Sequence, residues 1–155
     1  MASKQPDRDP TLYNDIFQIL EVNPDGKKFD KVTRYRCRGT LLEMDLVLDI
    51  NTDIYPINPK SQYALTLAHT LQRSGAATEE HYGRAMQSSG SNLLSDDFEY
   101  VMHGRIFKLA DKGSQAQVEV YISFGGLLMQ LTGEANKLRD LVIDTNVFLL
   151  MRSTS

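Results

Sequence analysis

The chain has 155 residues, 41% hydrophobic and 24% charged, with a formal net charge of −3, which points to one soluble domain with a core of its own. The lone Cys37 excludes an internal disulfide and any multi-cysteine metal site, and suits a reducing compartment. No apolar run is long enough to span a bilayer, and the N-terminal MASKQPDRDP lacks the apolar segment of a signal peptide, so the cytosol or nucleus is expected.

Residues 1–11, polar and proline-containing, are expected to be a flexible tail. From Leu12 the dominant period is two. In RYRCR, Arg34, Arg36 and Arg38 alternate with Tyr35 and Cys37. In EMDLVLDIN, Met44, Leu46, Leu48 and Ile50 face one way, while Asp45, Val47, Asp49 and Asn51 face the other, as the wet side of a half-buried strand. The run QYALTLAHTL repeats the alternation through Tyr63, Leu65, Leu67, His69 and Leu71. FEYVMHGRIFKL, VEVYISF, LLMQL and VFLLMR follow, giving at least seven candidate strands. EANKLRDL is long enough for a helical turn or two. So many antiparallel strands in one small domain must hide their edges, which a closed barrel does best. The interruption is 74–97, rich in Gly, Ser and Ala and without period, expected to be one long disordered loop.

Catalytic chemistry finds little support. Gly125-Gly126 in SFGGLL is followed by Leu127, Leu128 and Met129 rather than by Lys-Ser or Lys-Thr opening a helix, so it is no phosphate cradle. A glycine pair between strands supplies the positive φ angles of a tight hairpin. His69, His81 and His103 lack metal-ligand spacing. Asp45 and Asp49, four apart on a strand, stand about 13 Å from each other, too far for shared acid–base work. No enzyme, metal or cofactor is expected, nor a ligand-carrying barrel, since the large apolar side chains would fill the interior.

KKFDKVTRYRCR carries Lys27, Lys28, Lys31, Arg34, Arg36 and Arg38 against one acid, Asp30. With Phe29 and Tyr35 as stacking surfaces, such a row suits single-stranded nucleic acid. A solvated face or an acidic protein partner suits it better, since the aromatics are few and there is no Trp. The hairpin YISFGGLLMQL is too apolar to be left wholly in water. Tyr121, Ser123, Gly125, Gly126, Leu128 and Gln130 are therefore the expected partner interface.

DGKKFDKVTRYRC, EMDLVLDINTDIYPI, FEYVMHGRIFKL, YISFGGLLMQLTGEANKL and DTNVFLLMR, in that order, resemble the small barrel subunit shared by eukaryotic RNA polymerases I, II and III. The likeness spans Leu12 to Arg152, broken mainly at 74–97. It implies an all-β, antiparallel oligonucleotide/oligosaccharide-binding (OB-fold) type barrel of about eight strands over 12–152, with 153–155 as a polar tail. It implies a non-catalytic subunit without cofactor, metal, small-molecule ligand or membrane, docked on the largest polymerase subunit in the nucleus, including the nucleolus. The family's first strands have been credited with non-specific binding of single-stranded DNA. That region corresponds to Asn23 to Leu46 here and contains Lys27, Lys28, Lys31, Arg34, Tyr35, Arg36 and Arg38. The alternative is a free-standing single-strand-binding barrel.

Overall fold

A computed structural model describes residues 9–26, 29–76, 93–112 and 116–154. Eight strands form one closed, wholly antiparallel barrel, as expected. They are β1 (Thr11–Val22), β2 (Val32–Gly39), β3 (Asp45–Asn51), β4 (Gln62–Ala68), β5 (Tyr100–Lys112), β6 (Gln117–Phe124), β7 (Leu127–Glu134) and β8 (Asn146–Ser153). Strands β1-β2-β3 and β5-β6-β7 are two meanders joined where β3 pairs with β7, and β4 and β8 close the other side. EANKLRDL supplies only a 3-10 turn, Ala135–Lys137.

Alternation sorts the side chains. Tyr35 and Cys37 of β2, Leu46, Leu48 and Ile50 of β3, and Val120, Ile122 and Phe124 of β6 all point into the barrel. Each large apolar side chain so buried contributes roughly 1.5–3 kcal/mol. The void among Phe17, Tyr35, Cys37, Leu48 and Tyr63 inside the barrel is about 10 Å³, no more than roughly one water requires. Gly104 of β5 lets the strands approach closely, since a Cβ there would sit 2.3 Å from the Ser123 carbonyl oxygen.

Two strands depart from simple in–out patterning. On β4 and β8 the outer face is buried as well: Ala68, Leu71, Leu93, Phe148 and Leu150 form a second apolar cluster outside the barrel, with Leu94, Phe98 and Val101 packed against it. β4 ends at Ala68. His69 and Leu71 therefore do not continue the inward series that the alternation suggested, and Leu71 belongs to this second cluster. The end of the expected long loop is a 3-10 turn, Leu94–Asp97, that helps cover it. The loop's middle, 77–92, which includes His81, lies outside the described residues.

β1 carries an inward acid. Asp15 is 3% exposed and accepts hydrogen bonds from the Ile16, Leu41 and Leu42 amides and the Tyr13 hydroxyl. Four donors replace the lost hydration, so the carboxylate can be buried without a cation. It also ties the β2–β3 connection to β1.

Candidate functional site

The basic row is where alternation places it, on the outer face of β2. Register then decides its chemistry. Arg34 lies directly opposite Asp49 and Arg38 opposite Asp45 on β3, while Arg36 lies opposite Glu21 on β1. All three form ion pairs. Arg34 grips Asp49 with two parallel bonds, Nε to Oδ1 at 2.7 Å and Nη2 to Oδ2 at 3.1 Å, and has Asp25 3.6 Å away. Arg36 Nε donates to Glu21 Oε1 at 2.6 Å, and Arg38 Nη1 to Asp45 Oδ1 at 2.8 Å. Bonding to Asp49 pushes the Arg34 guanidinium above its ordinary pKa.

Two readings of this region need correction. Asp49 is not on a wet face. It is 5% exposed, covered by Arg34 and by the β6–β7 hairpin, whose Leu128 amide donates to Asp49 Oδ2 at 3.0 Å. Tyr35 is no stacking platform: it points inward and is 6% exposed, because its neighbours Arg34 and Arg36 take the outer positions. Phe29 is exposed, as is Lys31. Lys27 and Lys28 lie outside the described residues.

The hairpin has the geometry expected of it. β6 and β7 pair from Gln117↔Glu134 to Phe124↔Leu127, and Gly125 and Gly126 make the turn with φ of 64° and 106°. Both values lie in the left-handed region that two-residue hairpin turns require. Tyr121, Ser123, Leu128 and Gln130 all stand on the outer face, in the cross-strand pairs Tyr121↔Gln130 and Ser123↔Leu128. Glu119 orders this face, accepting from the Tyr121 hydroxyl at 3.2 Å and from Gln130 Nε2 at 2.9 Å. Desolvation, then that bond to Glu119, raises the Tyr121 pKa. Phe107, on a bulge of β5, brings its ring to 6.2 Å from that of Tyr121, and Lys108 Nζ lies 5.0 Å above the same ring.

Phe107 and Leu128 keep 45% and 41% of their surface exposed. Between Leu128, Gln130, Tyr121, Val47 and Arg34 lies a shallow hollow of about 90 Å³. The two regions singled out in the sequence are thus one continuous outer face, linked through Asp49. Sequence reasoning missed Asp49, Phe107 and Lys108; the matching four-residue spacing of Arg34–Arg38 and Asp45–Asp49 is the signal that could have found the first.

The face combines exposed apolar side chains with polar groups already ordered by Glu119 and Asp49. Among the described residues no three His, Cys, Asp or Glu side chains converge on a metal-sized site. His103 packs against Phe148, and His69 Nε2 lies 3.2 Å from the Asp9 carbonyl oxygen.

Residues 14–153 match the family model described as RNA polymerase Rpb8. The chain is 40% identical to the probable DNA-directed RNA polymerases I, II, and III subunit RPABC3 of Caenorhabditis briggsae, covering 92% of this chain and 96% of the relative. It is 39% identical to the DNA-directed RNA polymerases II, IV and V subunit 8B of Arabidopsis thaliana, over 91% and 94%. With the Saccharomyces cerevisiae subunit RPABC3 of polymerases I, II and III it shares 35% identity, over 92% and 97%. The chain belongs to the Rpb8 family of RNA polymerase subunits.

Proposed function

We propose that the chain is a non-catalytic structural subunit common to nuclear RNA polymerases I, II and III, docked on the largest subunit and supporting assembly and transcription. The observation that carries this reading is the family match over 14–153 at nearly full mutual coverage. The relatives named as subunits of polymerases I, II and III supply the set of enzymes, although the Arabidopsis relative is named for a different set. The outer face of β6 and β7 is the proposed contact. Exposed Phe107 and Leu128 lie beside Tyr121 and Gln130 there, and such area gains most by being covered. A nuclear location, with the nucleolus included through polymerase I, follows from the same reading.

The test is recovery of a tagged copy from its native nuclei, with mass spectrometry of whatever stays bound in high salt. Large subunits of more than one polymerase are expected; recovery of the chain alone would overturn the reading. Tyr121→Asp and Gln130→Glu then test the face. Each should weaken recovery while the isolated variant keeps its fold, and full assembly by both variants would remove the hairpin from the interface.

Non-specific single-stranded DNA binding over Asn23 to Leu46 is the second reading, supported by exposed Phe29 and Lys31 beside the arginine row. It predicts an affinity that falls steeply with salt and falls again when Lys31, Arg36 and Arg38 are replaced together. Salt-independent binding, or none, would sink it.

A further inference from the structure

We infer that the edge of β5 at Lys108–Lys112, open among the described residues, takes up an extended segment of a larger polymerase subunit as an added β-strand, an inference that rests on the proposed docking role. β5 changes partners along its length. Tyr100–Arg105 pairs with β8, and Arg105–Lys112 pairs with β6. The segment preceding β8 touches β5 last at Ile106, whose amide donates to the Thr145 carbonyl at 3.0 Å and whose carbonyl accepts from Asp144 at 2.8 Å. From Lys108 to Lys112, β6 lies on one side, and among the described residues no strand lies on the other. In an antiparallel ladder, alternate residues turn their N–H and C=O away from the paired neighbour. This run therefore offers a row of main-chain donors and acceptors at strand spacing, the complement of another extended chain.

The side chains set what that chain must carry. Leu109 stands beside inward-facing Val120 in the register, yet is 38% exposed, with no strand among the described residues on its open side. Lys108 and Lys112 stand on the opposite, outer face, with Ala110 between them. The occupant is therefore a strand with an apolar residue beside Leu109 and carboxylates on its other face beside the two lysines. The edge also continues the proposed docking face, since Phe107 and Lys108 both lie against Tyr121. A second such stretch among the described residues, Ile19–Val22 of β1, is a poorer template, being broken by a register shift between Ile19 and Glu21.

Amide hydrogen exchange, read by mass spectrometry on the isolated full-length chain and on the assembled polymerase, tests this directly. Strand addition should slow exchange of the outward-facing amides within Lys108–Lys112 on the order of a hundredfold on assembly. Exchange equally fast in both, or equally slow in both because the chain covers its own edge, would overturn the inference. Oxidative footprinting of Tyr121 and Leu128 on the same samples separates it from the docking reading. Protected side chains with unchanged edge amides would leave the docked face standing and remove the added strand. Slowed amides with side chains still open would place the partner on the edge and away from the hairpin face.

Discussion

Asp45 and Asp49 sit on the same face of β3, and each is paired with an arginine of β2. Replacing them by Asn should nevertheless have very different effects. Asp49 is 7% exposed in its side chain and Arg34 28%. Asp49→Asn leaves one acceptor oxygen for three donors, Arg34 Nε, Arg34 Nη2 and the Leu128 amide, and sets an NH2 group against a guanidinium. Removing one partner of a fully buried pair costs about 3–5 kcal/mol. Arg34 can regain some water, so about 2–3 kcal/mol is expected, near what loss of a charge-assisted bond and one orphaned amide implies. For a chain of this length that lowers the melting temperature by roughly 4–12 °C. The Asp45 and Arg38 side chains are 57% and 47% exposed, so Asp45→Asn should change stability by no more than about 0.5 kcal/mol. Urea unfolding of the two variants, compared at unchanged m-value, reads the difference. Equal midpoint shifts, or an Asp49→Asn shift as small as that of Asp45→Asn, would refute the claim that burial decides.

Three further outcomes are expected. Gly104→Ala forces a Cβ to 2.3 Å from the Ser123 carbonyl oxygen and 2.5 Å from Phe124 Cδ1, and should cost about 1–3 kcal/mol or more through overpacking between β5 and β6. It should exceed the cost of Gly125→Ala, where φ is +64° but the space is open; the reverse order in urea unfolding would contradict this. Burial pushes the Cys37 thiol up to about 12, so a thiol reagent at pH 8 should label only unfolded chain, and rapid stoichiometric labelling of the native protein would refute the inward placement. The Tyr55 hydroxyl, then the Ser153 amide, hold Glu99 below its ordinary pKa. A depressed folded value means the contribution is present above the unfolded value of about 4.3 and is lost as pH falls through the folded value. The stability gap between wild type and Glu99→Gln should therefore be present at about pH 6 and close on acidification, whereas a pH-independent gap would show that the two bonds do not select the ionised form.

Period-two alternation made most of the barrel legible, since a half-buried strand must write its two faces into the sequence. It failed where the faces were not apolar-in and polar-out. β1 was not singled out as a strand because its inward series Tyr13, Asp15, Phe17 is broken by a carboxylate satisfied by amides far along the chain. The outer cluster on β4 and β8 was missed because both faces of those strands are buried, and a continuous apolar run does not say which side meets which neighbour. On β2, β3, β6 and β7 the orientation of the outer residues was readable, but partnership was not, and the bulge that turns both Phe107 and Lys108 of β5 toward Tyr121 breaks the alternation. Whether Arg34 meets Asp49 or solvent depends on the β2–β3 register, and single-strand alternation carries no register information.

That register divides the outer surface into two kinds of chemistry. Across β1, β2 and β3 the arginines are answered by acids directly opposite them. Counterion release drives non-specific nucleic-acid binding only to the extent that cations lack fixed partners, so a strand of DNA on this row would have to displace Glu21, Asp45 and buried Asp49. Displacing the last would also strip the Leu128 amide of its acceptor and loosen the hairpin. Across β5, β6 and β7 the balance is opposite. Phe107, Leu109 and Leu128 remain half exposed, the main chain of β5 over Lys108–Lys112 is paired on one side only among the described residues, and the polar groups nearby are already ordered by Glu119. A partner covering that half gains apolar area and leaves the three arginine pairs of β2 intact, whereas a polyanion bound through the arginine row must displace their acids. The same Asp49 that neutralises Arg34 holds the hairpin in place, so closure of the basic half also fixes the shape of the apolar half.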